Sequence, residues 1–137
     1  MMVAKHWEEV YSDLAETKTS AREAHERSVN MDISGVAGYL QEVLGQKLVA
    51  YMAAVRDPKG VGQWARGTQV PRLEPERRLR AAYQILHLLV GADSPHVARA
   101  WFIGMNPQLD DESPAEAIRE GRLRDALVAA QAFISGG

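Results

Sequence analysis

The stretch "VGQWARGTQVP", residues 61–71, decides how the middle of this chain is read. Val61 and Trp64 stand three apart, so on a helix they share one face, while Gly67 supplies a stop and Pro71 seals it. A helix this short is either a fragment of core or the second helix of a helix-turn-helix, which must be short enough to lie in a DNA groove. Upstream, Gln46 to Val55 reads as a helix with Leu48, Val49, Met52 and Val55 inward. Ala50 and Ala54, four apart on it, are the small pair expected where two such helices cross. The break "RDP" (56–58) separates the two helices, because Pro58 disfavours helix at the residue before it. The connection "VRDPK" is about one residue longer than the tightest form of the motif.

With Val61 and Trp64 facing the core, Lys59, Gln63 and Arg66 point away from it. These are the types a groove requires: Gln reads adenine bidentately, and Arg and Lys read guanine or neutralise phosphates. Arg56 and Arg72 flank the helix as candidate phosphate contacts. Against this stand Gly60 and Gly62, each costing up to ~1 kcal/mol of helix propensity relative to Ala. The alternative is that Trp64 is simply a core aromatic and the basic residues are solvated. Periodicity alone leaves both open.

Charge is segregated along the chain. Met1 to Gly35 holds four Lys/Arg against seven Asp/Glu, Arg56 to Arg80 holds seven against three, and Asn106 to Asp125 holds three against six. A basic centre between acidic flanks points to a division of labour that the net charge of −2 hides.

Working outward, 3.6-residue periodicity recurs and no stretch alternates with period two for long, so the expected fold is all-α, a small helical bundle of seven or eight helices. Val3, Trp7, Val10 and Leu14 form one helical stripe, after which "AETKTSAREAHERSVN" (15–30) reads as an arm, helical or frayed, rather than core. A second helix spans Val36 to Leu44, with Val36, Leu40, Val43 and Leu44 inward. Glu74-Pro75 starts a long helix that Gly91 is expected to end, burying Leu79, Ala82, Leu86 and Leu89 or Val90. Ser94-Pro95 starts another, closed by Gly104. "SPAE" (113–116) has the form of a capping box, and its helix ends at Gly121. The last helix, Arg122 to Ile134, buries Leu123, Leu127, Ala130 and Ile134, with Val128 and Phe133 at its edges.

Chemistry is scarce. There is no cysteine, and His6, His25, His87 and His96 never fall at i, i+4, so a transition-metal site has little support. Asp110-Asp111-Glu112 lacks the alternating oxygen ligands and central glycine of a calcium loop and reads as a solvated turn. No glycine-rich phosphate loop follows a strand. No cofactor and no enzymatic activity are expected. No apolar run approaches the ~18 residues of a membrane span, and the charged N-terminus does not read as a signal peptide, so a cytoplasmic protein is expected.

The segments "LGQKLVAYMAAVRDPKGVGQWARGTQVPRLEPERRLRAAYQIL" and "ARAWFIGMNPQLDDESPAEAIREGRLRDALVAAQAF" resemble the Xre/MbcA/ParS class of antitoxins over roughly Gly35 to Phe133. The most specific part is Trp101…Asn106-Pro107-x-Leu109…Ser113-Pro114…Gly121, similar to the "W…NP.L…SP…G" core of that family's toxin-binding domain. The resemblance implies an N-terminal arm (1–34), an Xre-like helix-turn-helix region (35–91) and a C-terminal toxin-binding domain (92–137). It further implies a homodimer or higher oligomer that binds double-stranded operator DNA and occludes a RES-type toxin, an NAD-consuming protein.

Within that frame Trp64, Trp101, Asn106, Pro107, Leu109, Ser113 and Pro114 are expected to be structural, with Leu109 folding back onto Trp101 or Phe102. Toxin contacts are expected from Asp110, Asp111, Glu112, Glu116 and Glu120, and from a slim uncharged tail, Phe133, Ile134, Ser135, Gly136 and Gly137. The alternatives are a stand-alone helix-turn-helix regulator without a cognate toxin, and a protein-interaction module whose DNA-binding half has decayed.

Overall fold

The computed structural model describes residues 21–26 and 31–136, and every regular element among them is helical. The stripe Val3, Trp7, Val10 and Leu14, His6 and the terminal Gly137 lie outside the described residues. In order, the elements are α1 (described over 21–26), α2 (Ile33–Leu44), α3 (Gln46–Ala53), α4 (Pro58–Arg66), α5 (Leu73–Ala92) and α6 (Pro95–Ile103). A 3₁₀ turn (Pro107–Leu109), α7 (Pro114–Arg119) and α8 (Leu123–Ile134) complete the set. Of the expected arm, 21–26 is helical, and Ala24 is buried where no core contribution is expected.

Helix ends follow local chemistry. Asp57, Ser94 and Ser113 each accept a backbone N–H with the side-chain oxygen, and a proline follows each at the first helical position. Of the box at 113–116, the hydroxyl half is formed: Ser113 Oγ accepts from Glu116 N at 3.1 Å. Gly67 closes α4 in the left-handed conformation (φ 74°), where a Cβ is penalised. Gly104 closes α6 in an extended conformation instead. Gly91 does not end its helix. α5 runs through it to Ala92, because an isolated glycine costs only ~1 kcal/mol while Pro95 forces Ser94 out of the helical region.

The apolar faces meet in one buried cluster running from Ile33 to Ala130. α5 is its spine, contacting α2, α3, α6, α7 and α8, while α4 packs across α2 and α3. Leu79, Ala82, Leu86 and Leu89 are buried as expected, joined by Tyr83, Ile85 and Leu88. In α8 the buried residues are Ala126, Ala129 and Ala130, and Leu123, Leu127 and Ile134 are only half-buried. The buried face of α8, which packs on α5 and α7, is thus made of alanines, whose small side chains permit close contact between helices.

Candidate nucleic-acid interface and acidic partner face

The candidate helix-turn-helix region holds two short helices, α3 and α4, packed on each other. Val61 and Trp64 are both buried, as their spacing requires, and Ala50 at the crossing is buried too. The second small residue of that crossing is Ala53, not Ala54. Ala53 is fully buried, whereas Ala54 is exposed and turns left-handed (φ 62°, ψ 38°) as the C-cap of α3. The helix ends two residues sooner than periodicity indicates, and Ala54 leaves it as the left-handed cap instead of continuing the buried face.

α4 starts where Asp57 Oδ1 accepts from Lys59 N at 2.9 Å. Lys59 and Arg66 are exposed and Gln63 is half-buried, all on the side opposite Val61 and Trp64. Arg56 and Arg72 are exposed at the two flanks. Three of the five candidate DNA residues therefore share the outward face of α4, and the other two are exposed in the segments that precede and follow it. Arg66 also stands in the last turn of α4, where a cation complements the helix dipole.

The two glycines of α4 have different roles. A Cβ on Gly60 would meet nothing within 4 Å. One on Gly62 would lie 2.9 Å from Gln46 Nε2, 3.2 Å from Arg66 Nη1 and 3.6 Å from Gln41 Oε1. Gly62 is buried against a part-buried amide pair in which Gln46 Nε2 donates to Gln41 Oε1 at 2.7 Å. The glycine is a close approach between α4 and the α2–α3 corner, so it does not by itself mark a decayed motif.

The acidic face is organised by the loop 104–113. Asn106 caps the 3₁₀ turn, its Oδ1 accepting from Gln108 N at 2.9 Å, and its carbonyl accepts from Leu109 N and Asp111 N. Asp110 and Asp111 are both left-handed (φ 57° and 67°), a conformation Asp tolerates better than most residues. Backbone geometry thus gives this acidic pair a role of its own. Leu109 is fully buried, Trp101 and Pro114 are buried, and Trp101 stands edge-on to Phe102 with centroids 5.3 Å apart. Pro107 is exposed and opens the 3₁₀ turn.

An oxygen from each of Glu112, Glu116 and Glu120 lies within 4.8 Å of the others. Arg122 offsets part of that charge, its Nη1 meeting Glu112 Oε2 and its Nε meeting Asp125 Oδ2, each at 3.1 Å. The hydrogen bond to Asp125 is the main reason Arg122 holds its proton even more firmly than usual. Of the expected tail, Phe133 and Ile134 form the last turn of α8, where the helix is expected to end, leaving Ser135 and Gly136 as the exposed end of the described chain. Phe133 stands 6.4 Å from the Trp101 ring, and the two help line a surface cavity of about 390 Å³ together with Met105, Pro107 and Ala129.

Sequence reading misses the polar stitches between the chain's halves. Arg78 Nε donates to the Arg119 carbonyl at 3.0 Å, and Arg119 Nη1 donates to the Tyr51 carbonyl at 2.7 Å. The partners lie 41 and 68 residues apart, and no local spacing signals them. Comparison of the chain with protein-family models, with curated proteins and with solved structures finds no match.

Proposed function

We propose that the protein is a cytoplasmic antitoxin of the Xre/MbcA/ParS kind, binding operator DNA through α4 and occluding a RES-type toxin with its C-terminal half. The observation that carries this reading is the pairing of an N-capped, nine-residue α4 that buries Val61 and Trp64 with the outward row Lys59, Gln63 and Arg66. The basic flanks would hold phosphates while the row reads base edges. The toxin-binding role rests on the resemblance of Trp101 to Gly121; it is supported by the burial of Trp101, Leu109 and Pro114 and by the caps that Asn106 and Ser113 form.

A RES-type site must hold an anionic dinucleotide, so its mouth is expected to be positively charged. Asp110, Asp111, Glu112, Glu116 and Glu120 would steer association, since rim charges act more on encounter than on retention. Blocking would fall to the chain end beyond Ile134.

Two assays test the reading. In a gel shift with the gene's own upstream region, Gln63→Ala and Arg66→Ala should each weaken binding by about 1–3 kcal/mol where they read bases, and Lys59→Ala or Arg72→Ala should lower the salt slope by about one. No binding at low salt would refute the DNA role. In an NAD⁺-consumption assay with a RES-type toxin encoded beside it, the full chain should inhibit and a chain lacking Ser135 to Gly137 should inhibit less. DNA binding without any such toxin would instead favour the stand-alone regulator.

A further inference from the structure

The turn between α3 and α4 contains a residue its own neighbourhood does not explain. Ala54 is left-handed, and alanine has neither the missing Cβ of glycine nor the local hydrogen-bonding side chain of Asp that makes this conformation tolerable at 110 and 111. Such a residue persists only where surrounding contacts over-determine it. Some are local: Ala54 N donates to the Tyr51 carbonyl at 3.1 Å and Val55 N to the Ala50 carbonyl at 3.0 Å.

The shortest contact comes from the other half of the chain. Arg119 Nη1 donates to that same Tyr51 carbonyl at 2.7 Å, and its guanidinium carbon lies 4.7 Å from the centre of the Tyr51 ring. A cation there satisfies a terminal carbonyl and faces the negative end of α3. Arg119 is held in turn, its own carbonyl accepting from Arg78 Nε at 3.0 Å, and the Arg78 side chain is largely covered within α5.

We infer that Arg119, carried on the helix of the acidic face, is a positioning residue for the helix-turn-helix: by holding the Tyr51 carbonyl it fixes the left-handed turn from which α4 departs. Its relevance to DNA rests on the reading of α4 given above. Arg119 itself lies at the end of α7, which packs on α3, so it acts on α4 through the turn that precedes it.

The experiment compares backbone amide exchange in the full-length protein and in Arg119→Ala and Arg119→Lys. Exchange at Ala54 and Val55 should rise by about three- to tenfold in Arg119→Ala, the order expected for losing one partly exposed charge-assisted hydrogen bond, and by less in Arg119→Lys. Exchange within α2, at Leu40 for example, should not change. Unchanged exchange at Ala54 and Val55, or a uniform rise throughout the protein, overturns the inference. If Arg119→Ala does not fold, Arg119→Lys carries the same comparison.

On the upstream DNA, affinity should fall in Arg119→Ala with the salt slope unaltered, because a less firmly held turn presents α4 in more than one direction. Unaltered affinity overturns the inference, and so does a slope lowered by about one, which would make Arg119 a phosphate contact. Should the unmodified protein bind no DNA, the DNA reading fails while the exchange comparison still decides the positioning role.

Discussion

Replacing the two glycines of α4 by alanine, one at a time, tests the packing of the candidate recognition helix with effects of opposite origin. Gly→Ala inside a helix gains roughly 0.5–1 kcal/mol of backbone entropy and propensity. At Gly60 a Cβ would meet nothing within 4 Å, so the full gain is expected. For a chain of this size that raises the melting midpoint by about 2–5 °C. At Gly62 the new Cβ would sit 2.9 Å from Gln46 Nε2. The obstructing atom ends a flexible side chain, so the backbone need not move, but the amide must leave Gln41 Oε1, now 2.7 Å away. Losing that part-buried hydrogen bond costs about 0.5–1.5 kcal/mol. The gain and the loss nearly cancel, and Gly62→Ala should lie within about 0.5 kcal/mol of the parent. In a Gln46→Ala background no amide remains to be displaced, and the gain should reappear, a coupling that a double-mutant cycle reads directly. Urea or thermal unfolding of the four proteins is sufficient. Equal stabilisation by Gly60→Ala and Gly62→Ala would refute the packing of α4 against the Gln41–Gln46 pair.

Trp101→Ala should cost roughly 3–5 kcal/mol, because the ring is buried beside Phe102. Trp101→Phe should cost far less, since its indole Nε1 is buried without a partner among the described residues; a melt unchanged by Trp101→Ala would refute the structural role. Ala54→Gly should stabilise by about 1 kcal/mol by removing the left-handed penalty at φ 62°, and a loss of stability would show that the turn is not left-handed. Burial, then the proximity of Tyr83 and Glu42, raises the Tyr39 phenol above its ordinary 10.0. The folded state therefore holds this proton more tightly than the unfolded chain, so Tyr39 contributes stability that is fully present below pH 10 and lost as pH rises through the higher folded value. Tyr39→Phe should flatten the alkaline limb of a stability–pH profile, and an identical limb in both proteins would exclude that contribution.

What the sequence by itself determined is local. A proline after Asp57, Ser94 and Ser113, a left-handed glycine at 67 and the three-residue step from Val61 to Trp64 act within a turn or two of chain. Their number, order and all-helical character were therefore legible without knowledge of the neighbours. The same locality explains the outward row Lys59, Gln63 and Arg66, since fixing the buried face of a short helix fixes its opposite.

Tertiary structure alone decided where elements touch. The buried small residue that joins Ala50 is Ala53 and not Ala54, because α3 ends two residues before Val55 and Ala54 leaves it in the left-handed conformation. Gly62 reads from sequence as a weakness in α4, yet it is the space that Gln46, sixteen positions earlier, comes to need. The sequence places Phe133 and Ile134 both in the last helix and in a slim tail; the helix does run through both, and Phe133 stands beside Trp101, so only the residues after them remain as tail. The Tyr51–Arg119–Arg78 stitch joins three helices through carbonyls that every residue possesses, so composition and periodicity carry no sign of it. Backbone acceptors are the same at all positions. Only folding decides which of them a distant arginine reaches.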